Sequence, residues 1–195
     1  MYSSYKDLNT FASVFSPTRQ EEFSHYPERC VCGKAPSLKC LSLGFGRNFA
    51  ETWLAFQIFE LSEFSAGKKI PSRNIVYLAK GIIDNENINY LKTTDIMLFC
   101  AKYKQGTFGT FYGEVDPIKI NEALIFKYLP WRAEILRKHE QEEAQKQREE
   151  WSRESVTYEQ YVQMTQPKQL EAKHNENNNE DNNGNDKSKE NTLLD

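Results

Sequence analysis

The chain has 195 residues, of which 38% are hydrophobic and 27% charged, and its 25 Lys and Arg against 28 Asp and Glu give a formal net charge of −3. This length predicts one core of ordinary size, and the charge balance excludes a globally basic surface for nucleic acid. The first residues lack a basic stretch followed by an apolar run, and no segment approaches the roughly 18 apolar residues of a membrane span. We therefore expect a cytoplasmic protein with no membrane partner, whose four cysteines are free thiols.

Short helices are predicted near the N-terminus. Residues 7–15 fit a helix that stops before Pro17, because the residue that precedes a proline disfavours helical geometry. The side chains that this helix is predicted to bury are Leu8, Phe11, Val14 and Phe15. Ser37 marks the start of a further helix, which buries Leu38 and Leu41.

The most apolar segment, residues 48–64, is predicted to be a buried central helix. Its large side chains lie almost all round a helical wheel, which is typical of a helix that is covered on every side. They are Phe49, Trp53, Leu54, Phe56, Ile58, Phe59, Leu61 and Phe64. Ser72 is then predicted to cap the next helix, and Thr93 or Thr94 the one after it.

Glycines alternate with aromatic residues in the segment that follows. Gly106, Gly109 and Gly113 favour a tight hairpin or an ordered loop, since glycine permits positive φ angles and close approach of the backbone. Asp116 and Pro117 then begin a helix by two separate mechanisms, a side-chain cap and a preset φ angle at the first helical position.

The C-terminal third is predicted to be a charged helix followed by a tail. Pro130 should kink the helix, because an interior proline removes a backbone hydrogen bond. A polar stretch with many Glu, Lys, Arg and Gln then leads into a short docking segment, residues 156–164. Its apolar side chains share one helical face and are Tyr158, Tyr161, Val162 and Met164. The Asn-rich tail is too polar to bury a core and is predicted to be disordered.

These patterns together predict a mainly α protein: a compact multi-helix domain with a short glycine and aromatic loop or hairpin, a kinked charged C-terminal helix and a disordered tail. The predicted parts are an N-terminal arm (residues 1–28), a helical core domain (29–135), a charged helical extension with its docking segment (136–165) and the tail (166–195).

Motifs for catalysis are scarce. The spacing of Cys30, Cys32 and Cys40 does not match the paired cysteines of a structural zinc site, and His25 would have to supply a fourth ligand. An enzyme in which Cys30 or Cys32 acts beside His25 is an alternative, but no catalytic motif supports it. The glycines match neither a P-loop nor a dinucleotide-binding fingerprint. We expect no catalytic residues, no metal and no cofactor.

Lysines and aromatic residues around the glycine loop suggest a single-stranded nucleic-acid site. Aromatic stacking combined with phosphate neutralisation holds such strands without sequence preference. The candidate residues are Lys102, Tyr103, Lys104, Phe108, Phe111 and Tyr112. The alternative is that the aromatic side chains fill the core while the lysines only solvate its rim.

The run K-x-G-x-x-G-x-F-Y-G-x-x-D-P, residues 104–117, and W-L-A-F-Q-I-F-E-L-S-E-F upstream resemble an uncharacterised bacterial family of short proteins from gut anaerobes and their mobile elements. The resemblance covers residues 29–135 and implies no activity, because that family has none established. The layout of helical domain, charged helix and polar tail is also similar to that of phage replicative-helicase loaders, at the level of architecture alone.

These observations predict a non-catalytic cytoplasmic adaptor, of the kind that assists DNA replication in a phage or mobile element. The expected partner is a protein, such as a replicative helicase or another replication protein. It would bind through the docking segment or through the helix around Trp131. The alternative is a single-stranded nucleic-acid-binding module that uses residues 102–112.

Overall fold

The computed structural model describes residues 7–64, 67–109, 115–155 and 157–165, and the regular structure in these ranges is helical. In chain order the elements are α1 (Leu8–Val14), a 3-10 turn (Pro17–Arg19), α2 (Gln20–Ser24), α3 (Pro27–Cys32), α4 (Leu38–Phe45), α5 (Arg47–Phe64), α6 (Ser72–Asp84), α7 (Thr93–Lys104), α8 (Pro117–Ala123), a π-helical turn (Leu124–Tyr128), α9 (Leu129–Glu154) and α10 (Tyr158–Thr165). The mainly α fold class is confirmed. The predicted disorder of residues 166–195 concerns a part of the chain that lies outside the described ranges.

The chain divides into two compact units. The first spans Met1–Arg153, and the second spans Glu154–Asp195. Within the second unit the structure describes the helix α10, which is taken up below.

Helix α7 lies at the centre of the first unit. Residues 93–101 are buried without a break, and helices α2, α3 and α5 all pack against this helix. The prediction that residues 48–64 form a helix is confirmed, but the prediction that this helix is buried on every side is wrong. Phe56, Phe59 and Phe64 of α5 are exposed, because the helices that contact α5 cover its other side.

The N-terminal arm packs on α5. Phe11 and Phe15 are buried, whereas Leu8, which was predicted to be buried with them, is exposed. The carbonyl oxygen of Phe15 accepts hydrogen bonds from Trp53 Nε1 at 3.0 Å and from Gln57 Nε2 at 2.9 Å. The end of α1 is thus held by both a buried aromatic cluster and two side-chain donors on α5.

Helix starts were predicted with mixed success. The Asp116 carboxylate accepts a hydrogen bond from the Ile118 N–H at 2.9 Å with Pro117 in the first turn, as predicted. Ser37 caps α4 in the same way. Neither Ser72 nor a threonine caps the next two helices. Helix α7 instead begins after Lys92, whose backbone N–H donates to the Asp95 carboxylate at 2.9 Å.

A kink was predicted at Pro130, and the structure has a π-helical turn that ends two residues before this proline. A proline in a helix has no N–H to donate and its ring crowds the carbonyl four residues earlier, so a widened turn relieves both problems. The buried stripe of this region continues through the turn to Tyr128.

A network of buried and half-buried polar groups holds α9 and the π-helical turn before it against α7. The Asp95 side chain is fully buried, and its Oδ1 accepts hydrogen bonds from the Tyr128 hydroxyl at 2.7 Å and from Arg132 Nε at 3.0 Å. On the other side of the helix start, Lys92 Nζ donates to the carbonyl oxygens of Val31 at 2.5 Å and Gly33 at 2.6 Å. We call these groups, Lys92, Asp95, Tyr128 and Arg132, the Asp95 network.

The Asp95 network predicts the effect of Tyr128→Phe. The substitution removes one hydrogen bond to a buried carboxylate, so we expect the free energy of unfolding to fall by about 1.5–3 kcal/mol. Urea denaturation followed by circular dichroism measures this change. Tyr77→Phe is the control, because it removes the hydroxyl of an exposed tyrosine in the same unit. Equal stability of the two variants would contradict a stabilising role for the network.

Candidate functional site

The loop that follows α7 begins as a helix cap. Gly106 has a positive φ angle of 79°. Its N–H donates to the Tyr103 carbonyl at 3.0 Å, and the Thr107 N–H donates to the Lys102 carbonyl at 3.0 Å. These two bonds define the Schellman motif, in which a left-handed glycine satisfies the last carbonyl groups of a helix. Gly106 is therefore explained by the end of α7 and requires no bound phosphate.

The aromatic residues of the candidate nucleic-acid site that the structure describes lie in the core. Tyr103 and Phe108 are both buried. The Phe108 ring lies 5.6 Å from the Trp131 ring and 5.7 Å from the Tyr128 ring, centroid to centroid. Phe111 and Tyr112 lie outside the described residues. The Phe108 ring thus joins the glycine loop to α9, and the burial of both described rings leaves no face open for a base.

The two lysines of this candidate site already have partners. Lys102 Nζ donates to the Gln105 side chain at 3.2 Å. Lys104 Nζ lies 3.4 Å from the Glu60 carboxylate and 5.7 Å from the centre of the Phe64 ring. Lys104 therefore holds α7 to the end of α5 and is not free for a phosphate group.

The thiols are placed differently from one another. Cys30 and Cys100 are buried, Cys32 is half-buried and Cys40 is exposed. Burial raises the pKa of Cys30 to about 11, with a smaller contribution from Asp95, and raises the pKa of Cys100 to about 12. Burial also raises the pKa of Cys32. These shifts are opposite to those of a cysteine nucleophile, which acts as a thiolate.

No cluster of three His, Cys, Asp or Glu side chains suited to a metal ion occurs in the described ranges. His25, proposed as a fourth zinc ligand or as a base, is exposed at the end of α2. None of the helices that the structure describes is long and apolar enough to cross a membrane.

The two predicted partner-binding regions differ in exposure. Trp131 is only partly buried, but its ring packs on Phe108 and lies 5.8 Å from Tyr128. It is therefore mainly part of the core. On α10, by contrast, Tyr158 is 82% exposed, Tyr161 56% and Met164 76%. Val162 is half-buried.

Helix α10 has a capping box that the sequence analysis missed. The Gln160 N–H donates to Thr157 Oγ1 at 3.3 Å, and the Thr157 N–H donates to Gln160 Oε1 at 3.0 Å. The sequence T-Y-E-Q at residues 157–160 is the signal that predicts such a cap. The helix start and the positions of its apolar side chains are thus encoded locally.

Two surface features were also missed. A groove of about 380 Å³ between α5 and α6 is lined by Phe56, Phe59 and Val76. A cavity of about 570 Å³ lies between α1, α2 and α3. Neither has a sequence motif, because each is assembled from residues on separate helices.

The chain belongs to a family of unknown function, DUF6633, whose sequence profile matches residues 70–174. The expectation of an uncharacterised family is therefore confirmed, although the matched region begins later than the expected resemblance and extends through the charged helix and α10. No curated protein and no solved structure shows significant similarity to the chain.

Two glycines give opposite predictions for substitution by alanine. Gly106→Ala places a side chain at a positive φ angle, which should lower the free energy of unfolding by about 1–2 kcal/mol. Gly81 lies within α6, and a Cβ atom there would meet nothing within 4 Å. Gly81→Ala should therefore stabilise the protein by about 0.5–1 kcal/mol. Urea titrations of both variants test the assignment, and stabilisation by Gly106→Ala would refute it.

Alkylation should distinguish the four thiols. At neutral pH we expect iodoacetamide to modify Cys40 first, since it is exposed, and Cys100 last. Cys30 should react slowly because its raised pKa keeps the thiolate fraction small, and its reactivity should rise as the pH approaches that pKa. Peptide mapping by mass spectrometry over time measures the order. Fastest reaction at Cys30 or Cys32 would instead support a thiol enzyme.

Proposed function

We propose that the protein is a non-catalytic adaptor that acts in the cytoplasm and binds a protein partner through α10. The observation that supports this most directly is the exposure of Tyr158, Tyr161 and Met164 on a short, well-capped helix. Large apolar side chains that stay exposed on a helix are typical of a surface that a partner covers.

The chemistry of α10 suits recognition by a groove. Tyr158, Tyr161, Val162 and Thr165 have the spacing i, i+3, i+4 and i+7, which places them on one helical face. Met164 borders this face and adapts its shape readily to a contact. An isolated helix of eight residues is only marginally stable in water, so burial of this face would add stability that the helix lacks alone.

The rest of the molecule supports a role without catalysis. The buried Asp95 carboxylate accepts three hydrogen bonds, from Lys92, Tyr128 and Arg132, so its oxygens are committed to structure. The raised pKa values of Cys30 and Cys100 disfavour a nucleophilic thiol. The burial of Tyr103 and Phe108 also favours a protein partner over single-stranded nucleic acid.

The partner that we propose is a replication protein, such as the replicative helicase of a phage or mobile element. The support for this narrower proposal is the layout of the sequence, in which a helical domain precedes a charged helix and a polar tail. This narrower proposal is tested by the identity of the protein that is recovered, whereas the docking surface is tested by which variants still bind.

Affinity capture from the native host, with nuclease-treated lysate, tests the docking surface. The full-length chain is compared with Tyr158→Ala/Tyr161→Ala/Met164→Ala, which removes the exposed apolar side chains. The matched control is Glu159→Ala/Gln163→Ala, which changes exposed polar residues of the same helix. We expect the triple variant to lose a partner that the wild type and the control retain, with at least tenfold weaker binding of that partner after purification.

Recovery of the same partners with all three proteins would refute binding through α10. Recovery of a replicative helicase or another replication protein would support the narrower proposal. Loss of a partner from another process would leave the adaptor proposal in place and refute the role in replication.

A further inference from the structure

The cavity between α1, α2 and α3, which we call the α2–α3 cavity, has the size of a small-molecule site. Its volume of about 570 Å³ lies within the roughly 300–1,000 Å³ that ligand pockets usually span. Its wall includes the end of α1 and the 3-10 turn, and Thr94 of the central helix contributes to its lining. The Thr94 hydroxyl donates to the Cys30 carbonyl at 2.7 Å. This bond connects α7 to α3 at the base of the cavity, which we call its floor.

The charges around the α2–α3 cavity are unbalanced. Arg19, Arg29, Lys34 and Glu22 line it. Arg19 is committed, because its guanidinium bonds to the Glu22 carboxylate at 2.8 Å and to the Val14 carbonyl at 3.0 Å. Arg29 and Lys34 are exposed, and neither side chain has an ion pair or hydrogen bond to any residue that the structure describes. Two uncommitted positive charges therefore remain at the cavity.

An aromatic wall accompanies these charges. Phe23 and Tyr26 line the cavity, and Tyr26 is 63% exposed. The Arg19 guanidinium lies 6.0 Å from the centre of the Phe23 ring, so that ring already has one charged neighbour. The Tyr26 ring is therefore the surface most accessible to a planar group that enters the cavity.

We infer that the α2–α3 cavity binds a small aromatic anion of the size and chemistry of a nucleoside mono- or diphosphate. Arg29 and Lys34 neutralise its phosphate, and its base stacks on Tyr26. Bidentate guanidinium and point-charge ammonium groups are the usual protein partners of phosphate, and bases of every kind stack on aromatic rings.

The floor of the cavity is compatible with an anion. The Cys30 thiol donates a hydrogen bond to the Phe23 carbonyl at 3.3 Å. It stays neutral at physiological pH, because burial raises its pKa. The one carboxylate in the lining, Glu22, is neutralised by Arg19. No described group at the cavity therefore opposes the phosphate with an unpaired negative charge.

Isothermal titration of the full-length protein with the common ribonucleoside mono- and diphosphates tests the inference. We expect at least one to bind saturably with a Kd below about 1 mM at low salt, and more weakly as the salt concentration rises. Tyr26→Ala should weaken this binding about 5- to 150-fold. Arg29→Ala/Lys34→Ala should weaken it at least about tenfold.

Matched controls separate this site from general effects. Lys39→Ala/Arg73→Ala removes the same amount of charge from exposed positions that do not line the cavity and should bind as the wild type does. Circular dichroism and Tm should be unchanged in every variant, since the altered side chains are exposed. The triple variant of α10 should also retain the ligand, which distinguishes this site from the proposed adaptor surface.

Three outcomes would overturn the inference. They are no saturable binding by any of the nucleotides, equal affinity for inorganic phosphate or for the uncharged nucleosides, and binding that Arg29→Ala/Lys34→Ala and the control variant reduce equally. Binding that needs both the phosphate and the base, and that depends on Tyr26, would support it.

Discussion

The fold depends on one buried carboxylate. Asp95 is fully buried near the start of α7, and a buried charge is tolerated only when it is paired and hydrogen-bonded. Its donors are the Lys92 backbone, the Tyr128 hydroxyl and the Arg132 guanidinium. Tyr128 and Arg132 are four residues apart, so they share one helical face, and the pair fixes how that helix meets α7. The π-helical turn ends at Tyr128, and Pro130 lies between the two residues that bond to Asp95.

The same helix start also fixes α3. Lys92 Nζ binds the carbonyl oxygens of Val31 and Gly33, and Thr94 binds that of Cys30. The last carbonyl groups of a helix lack partners within it, so these donors complete the end of α3. Because this segment lines the α2–α3 cavity, contacts to the most buried helix of the unit set the position of one cavity wall.

The features that the sequence predicted correctly are those with a local cause. Asp116 and Pro117 start a helix through contacts within one turn, and Ser37 does the same for α4. The T-Y-E-Q capping box could have been found by the same rule. The exposure of Phe56 could not, because it depends on which helices pack there, and for Phe108 the sequence left a buried and an exposed position as alternatives. The Asp95 network was likewise hidden, since its acceptor and its two side-chain donors are more than 30 residues apart in the chain.

The extent of the family match separates the two proposed sites. Residues 70–174 include Asp95, Tyr128, Arg132 and the whole of α10, whereas the α2–α3 cavity is lined by earlier residues except at Thr94. Within the matched region, Lys92 and Thr94 donate hydrogen bonds to backbone carbonyl groups at the end of α3. Any sequence that forms this helix would supply those carbonyl groups. The side chains of Tyr26, Arg29 and Lys34 take no part in these bonds. In the inferred site Arg29 and Lys34 neutralise the phosphate and Tyr26 stacks on the base, which gives these exposed side chains a role that none of the described contacts supplies.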